Sequence, residues 1–163
     1  VLIGHSERRR LFGETEAIIN RKTVTVMESG LKAVLCVGEA KRLALNECAE
    51  DVIGGQLESA LVDLKGGFQG NLMIAYEPVW AIGSNLPATP EIVNSRARFI
   101  KEFISQLDYV DHGESTPVIY GGSVTSENVG FYLDMENVDG VLLGASSLNI
   151  ESFKRAIRVA ENY

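Results

Sequence analysis

Apolar residues in this chain fall into two alternating patterns. Short unbroken runs occur at Val1-Leu2-Ile3, Ala33-Val34-Leu35-Cys36-Val37, Leu72-Met73-Ile74-Ala75-Tyr76, Val118-Ile119-Tyr120 and Val141-Leu142-Leu143. Runs of that length with no polar face are expected of strands covered on both sides. Between them, apolar residues recur at helical steps. A first helix is expected from about Glu14 to Ser29, carrying Ile18, Ile19, Val26 and Met27, with Gly30 at its C-terminal end. A second carries Leu45, Cys48, Val52, Ile53, Leu57, Ala60, Leu61 and Leu64. It tolerates Gly54-Gly55, each costing about 1 kcal/mol against alanine, and stops at Gly66-Gly67. Thr89-Pro90-Glu91 is a helix start: a capping threonine, proline at the first position and an acid in the first turn. Its helix presents Ile92, Val93, Ala97, Ile100, Phe103, Ile104 and Leu107 on one face. A short helix is expected at Ser126–Leu133. A last one follows Asn149, with Phe153, Ala156, Ile157 and Ala160 as its buried stripe. The polar segment from Gly4 to Glu14 reads as a connection.

Five strands alternating with helices imply an α/β fold with a parallel sheet. Periodicity leaves an open doubly wound sheet and part of a closed (β/α)8 barrel in competition. The 163 residues fit one domain spanning 1–163, with no linker, repeat or low-complexity tract. A net charge of −7 disfavours nucleic acid, whose phosphates need a basic surface. Arg8-Arg9-Arg10 is the local exception and reads as a solvated or ion-paired loop. No apolar stretch approaches the roughly 18 residues of a membrane span. Two cysteines make no disulfide framework, and Cys36 within a strand run is expected to be a buried thiol; the cytoplasm is the expected compartment. His5 and His112 have no metal-ligand spacing.

The chemistry-bearing residues stand just after the strands, where barrel enzymes carry their active sites. These are Gly4-His5-Ser6-Glu7, Gly38-Glu39, Glu77-Pro78, Gly121-Gly122-Ser123 and Gly144-Ala145-Ser146-Ser147. A histidine after a glycine is commonly structural, and glycine pairs commonly make turns. A glutamate directly after a buried strand is harder to explain structurally, since glutamate is rarely buried without a partner. Two small-residue loops late in the chain suit a phosphate site made of backbone N–H groups. Trp80 is by default a packing aromatic; in Pro78-Val79-Trp80-Ala81-Ile82-Gly83 it can instead anchor a lid.

Together these segments resemble the triosephosphate isomerase family. Ile3-Gly4-His5-Ser6-Glu7-Arg8-Arg9 is similar to its histidine loop, and Leu35-Cys36-Val37-Gly38-Glu39 to its fifth-strand signature. Ala75-Tyr76-Glu77-Pro78-Val79-Trp80-Ala81-Ile82-Gly83 resembles its catalytic-base strand and lid, and Tyr120-Gly121-Gly122-Ser123-Val124 its phosphate loop. The resemblance runs from end to end of the chain. It implies a (β/α)8 TIM barrel entered at the fourth strand, an incomplete barrel lacking the first three βα units. It further implies interconversion of dihydroxyacetone phosphate and glyceraldehyde 3-phosphate, in glycolysis and gluconeogenesis, through an enediolate. Glu77 would be the base and His5 the electrophile, with Ser6 and Glu7 in support. Gly83, Ser123, Gly144 and Ala145 would bind the phosphate. Residues 78–84, from Pro78 to Ser84, would form the lid, whose closure this family exemplifies. No cofactor or metal is implied, the partner being the triose phosphate and, in the family, a second subunit of a homodimer.

Three departures qualify the resemblance. The family's Thr-Gly-Lys-Thr-Ala hinge reads Ser84-Asn85-Leu86-Pro87-Ala88, where proline fixes φ and removes a donor. Ala145 replaces a second glycine. The family's first-strand asparagine and catalytic lysine, and its subunit-crossing third loop, have no counterpart here. The chain begins without methionine inside an apolar run and is expected to be a truncated isomerase with little activity alone. The alternative is a non-catalytic half-barrel that binds phosphorylated ligands or assembles with a partner.

Overall fold

The computed structural model describes residues 1–40, 49–64, 70–83, 86–107 and 116–163. Five strands form one parallel sheet in chain order: β1 (Leu2–Ile3), β2 (Ala33–Val37), β3 (Leu72–Tyr76), β4 (Val118–Tyr120) and β5 (Gly140–Val141). The order never reverses, so the sheet has no switch point of the doubly wound kind. Register pairs Val37 with Tyr76, Tyr76 with Tyr120 and Tyr120 with Val141, which brings the strand ends to a common level. The ladder then runs one residue further. The amides of Glu77, Gly121 and Leu142 donate to the carbonyls of Val37, Tyr76 and Tyr120 at 2.7, 2.8 and 2.8 Å.

Side chains alternate across these strands. Leu35, Val37, Ile74, Tyr76, Val118 and Tyr120 join the large core formed with the helices. Cys36, Ala75 and Ile119 share a smaller cluster, bordered by the partly buried Val34, Met73 and Leu142. Glu77 follows Tyr76, so alternation carries it toward the side of Cys36 and Ala75.

The helices are α1 (Ser6–Phe12), α2 (Glu16–Glu28), α3 (Ala49–Leu61), α4 (Pro90–Ser105), α5 (Val129–Leu133) and α6 (Ile150–Ala160). Thr15 caps α2 through the Ile18 amide, and the helix ends with Gly30 at φ +69. The amides of Gly30 and Leu31 return to Met27 and Val26, closing its last carbonyls. On α4, Val93, Ala97, Ile100 and Ile104 are buried, the valine and the two isoleucines each contributing about 1.5–3 kcal/mol over exposure. Asn149 caps α6 by accepting from the amides of Glu151 and Ser152.

Several expectations are corrected. The arginine run is helical, not a loop: it lies in α1, where Arg8 pairs with Glu14 and Arg9 with Glu16. The short helix expected at 126–133 begins only at Val129, and the last strand is Gly140–Val141 rather than 141–143. Val52, on the expected stripe of α3, is exposed. On α6 only Ala156 is buried; Phe153 and Ile157 remain 39% and 43% exposed, and Ala160 is exposed too. Leu45, Cys48, Gly66, Gly67, Ser84 and His112 lie outside the described residues. No helix among the described residues is long and apolar enough to cross a membrane.

Candidate active site

Glu77 is 2% exposed, and its carboxylate sits between two groups delivered by the start of α1. Oε2 accepts from the Ser6 amide at 3.1 Å, and Oε1 lies 3.3 Å from His5 Nε2. His5 is itself the N-cap of α1, its Nδ1 accepting from the Glu7 amide at 3.3 Å. With Nδ1 occupied as an acceptor, Nε2 is the ring nitrogen available to donate a proton to Glu77. Ser6 and Glu7 thus act on the site through backbone N–H groups. The amide of a helix N-terminus is a favourable neighbour for a carboxylate.

Burial pushes the Glu77 carboxyl above its ordinary range. His5, the Ser6 amide, the Cys36 thiol and the Arg9 guanidinium pull in the opposite direction without cancelling that effect. The Cys36 thiol is itself raised, chiefly by burial and then by the Glu77 charge. Arg9 braces the site from behind, donating from Nε to the Gly4 carbonyl at 2.8 Å and from Nη2 to the Cys36 carbonyl at 3.3 Å.

The two glycines after β4 answer to steric demands. A Cβ on Gly121 would lie 2.9 Å from Glu77 Cγ. A Cβ on Gly122 would lie 2.0 Å from the Tyr120 hydroxyl. The pair therefore does more than turn the chain: it clears space for the carboxylate and for a phenol.

A cleft of about 840 Å³ opens above these groups, lined by His5, Glu7, Glu77, Ile82, Gly83, Pro87, Gly121, Gly122, Ser123, Leu142, Gly144, Ala145 and Ser146, among others. Gly144 and Ala145 open a short 3₁₀ turn, Ala145–Leu148, in which Ser147 N bonds Gly144 O. The amides ahead of that bond lie outside the turn's own ladder. Ser123 Oγ donates to the Ala81 carbonyl at 2.7 Å, tying the β4 loop to the segment after β3. Of the residues singled out from sequence, His5, Glu7, Glu77, Ile82, Gly83, Ser123, Gly144 and Ala145 line this cleft, whereas Ser6, Pro78, Val79, Trp80 and Ala81 do not.

Trp80 is half-buried, and its indole N–H donates to Glu39 Oε1 at 2.8 Å. Tyr76 Oη donates to the same carboxylate at 3.0 Å. Glu39 is 3% exposed, so it anchors the Pro78–Gly83 segment from inside. Its position after β2 was visible in the sequence, but these donors were not. Further along the chain, Tyr120 Oη accepts from the Ala88 amide and Tyr132 Oη donates to the Ala88 carbonyl. Gly83 adopts φ +62. No group of three or more metal-binding side chains occurs among the described residues.

The strands and helices make an α/β protein with one parallel sheet, and a buried carboxylate and an imidazole meet beside its cleft. Residues 1–160 match the family model of triosephosphate isomerase. The chain belongs to the triosephosphate isomerase family, and so to a family of isomerases.

Proposed function

We propose that this chain carries the proton-shuttling site of a triosephosphate isomerase, interconverting dihydroxyacetone phosphate and D-glyceraldehyde 3-phosphate. The observation that carries this reading is the 3.3 Å approach of His5 Nε2 to a Glu77 carboxylate buried at the rim of the cleft. A carboxylate raised by burial is a stronger base for a carbon-bound proton than an ordinary surface glutamate. Glu77 removes the proton from one substrate carbon, and the electrons move onto the carbonyl oxygen to give an enediolate. His5 Nε2–H donates to that oxygen as its charge develops. The proton given to that oxygen is replaced on His5 by the hydroxyl proton of the neighbouring carbon, and return of the carbon-bound proton from Glu77 to that neighbouring carbon completes the isomerisation, with no net change in oxidation state and no cofactor.

The phosphate is assigned to the backbone N–H groups of Gly83, Ser123, Gly144 and Ala145, all of which line the cleft. Ala145 lies in a helical turn, so its methyl needs no left-handed backbone and leaves the amide usable. Pro78 to Ser84 are assigned as the lid that excludes water from the enediolate. The sheet is read as strands four to eight of a (β/α)8 barrel, in keeping with its unreversed order. A coupled assay with either triose phosphate tests the reading: turnover abolished in Glu77→Gln supports it, and unchanged turnover in that variant overturns it.

A further inference from the structure

Gln56, half-buried on α3, bonds both polar groups of one residue, and that residue bears on Glu77. Its carboxamide oxygen accepts from the Gly38 amide at 2.8 Å, and its Nε2 donates to the Gly38 carbonyl at 3.3 Å. The sheet explains the need. β1 last pairs with β2 at Ile3 and Leu35, three residues short of Gly38. From the other side, the amides of Glu77 and Val79 donate to the carbonyls of Val37 and Glu39, which flank Gly38 and pass it over. A primary amide carries an acceptor and a donor side by side, so one side chain completes both backbone groups. Ile53 and Leu57, fully buried on the same helix, fix α3 to the core and hold Gln56 in reach.

A Cβ on Gly38 would lie 2.0 Å from the Glu77 carbonyl oxygen and 2.5 Å from its carbon. The bare Cα of Gly38 therefore packs directly on the peptide that follows Glu77. With the Glu77 amide tied to Val37 and its carbonyl resting on Gly38, any shift of Gly38 passes into the Glu77 backbone. The carboxylate end is held from a different element, by Ser6 and His5 at the start of α1. We infer that Gln56 is a positioning residue for Glu77: by clamping the Gly38 peptide it sets where the Glu77 backbone stands, and so how its carboxylate meets Ser6 and His5. The inference rests on the isomerase reading for its kinetic consequence, whereas its geometric content does not.

The test is Gln56→Met in the full 163-residue chain, which keeps the side chain's length and removes both hydrogen bonds. Exchange of the Gly38 amide should accelerate about tenfold, the scale of one lost hydrogen bond. The deciding readout is the Ser6 amide, which reaches Glu77 from α1: it should exchange several-fold faster and move its NMR resonance. A glutamine that merely fastened α3 to β2 would leave Ser6 unmoved. Deuterium uptake by dihydroxyacetone phosphate should show kcat lowered about 10- to 100-fold with KM little changed, the pattern of a misplaced catalytic group. Gln56→Glu keeps the acceptor for the Gly38 amide but turns an oxygen toward the Gly38 carbonyl. It should give the same Ser6 pattern, which guards against a folding failure in the first variant. An unchanged Ser6 resonance in both variants, acceleration spread evenly over the sheet in both, or unchanged kcat in an active chain would each overturn the proposal. A displaced Ser6 signal, in a chain whose wild type exchanges no substrate proton, would sustain the positioning role and refute the isomerase reading.

Discussion

His5 and Glu77 face each other at 3.3 Å because a short helix, α1, begins between β1 and α2 and aims its N-terminus at the end of β3. The same turn places the Ser6 amide on the other carboxylate oxygen at 3.1 Å. The base is therefore held at both oxygens by one element, and replacing His5 leaves the Ser6 contact in place. His5→Gln should fold normally by circular dichroism while isomerase turnover falls about 10²- to 10⁴-fold, the range for a positioned acid–base group. A variant within twofold of wild type would show that the imidazole is structural.

The raised Glu77 carboxyl has a signed consequence for stability. In the folded state it holds its proton at pH values where the unfolded chain has already released it. Between the ordinary carboxylate range and the raised value the native state binds more protons, so this group's effect on stability worsens as pH rises. Glu77→Gln should therefore be more stable than wild type at neutral pH, with the gain shrinking as pH falls to about 4. Urea denaturation of both proteins across that interval measures it; a gain that grows toward acid would contradict the cause assigned here. Turnover should show an acidic limb lying above the ordinary carboxylate range.

Gly121→Ala would place a methyl carbon 2.9 Å from Glu77 Cγ. Overpacking of this kind costs about 1–3 kcal/mol, and here relief comes by moving the carboxylate. The expected signature is a fall in kcat that exceeds the change in KM. Thermal melting would fall only modestly. A large stability loss with unchanged kcat would mean that the sheet, and not Glu77, yields.

Trp80→Phe keeps the aromatic packing but withdraws a donor to buried Glu39 that acts beside Tyr76. The predicted loss is about 1–3 kcal/mol, read from chemical denaturation followed by circular dichroism. No measurable loss would mean that this bond does not anchor the Pro78–Gly83 segment.

The strands were largely legible because their burial on both faces leaves unbroken apolar runs: β2, β3 and β4 have the bounds those runs give. Glu77 was legible for the same reason, as an acid abruptly following such a run. α1 was not. It spans seven residues, three of them arginine, and is capped by a histidine instead of a serine or aspartate, so neither period nor cap marks it. The stripe on α6 illustrates a different limit. Periodicity identifies an apolar face but not what covers it, and Phe153 and Ile157 are left substantially exposed. Likewise, the support that Ser6 and Glu7 lend comes from backbone amides, which no side-chain pattern encodes.

The cleft carries an imidazole and a carboxylate, but no lysine or arginine lines it among the described residues. A phosphate held by backbone N–H groups alone lacks a cation's contribution to both binding and the transition state. The isolated 163-residue chain should consequently turn over far more slowly than a family member with a lysine in the site. Its phosphate affinity should also change little with added salt, since few charged contacts are screened. A steep salt dependence, followed by titration, would reveal a cation from elsewhere in the chain.

The central claim, that Glu77 moves a carbon-bound proton of a triose phosphate, is tested most directly by solvent exchange. Dihydroxyacetone phosphate incubated with the chain in D₂O would be followed by NMR for deuterium entering the carbon next to the carbonyl. The account predicts incorporation with wild type and none above background with Glu77→Gln. Equal incorporation with both proteins, or none with wild type, would contradict it.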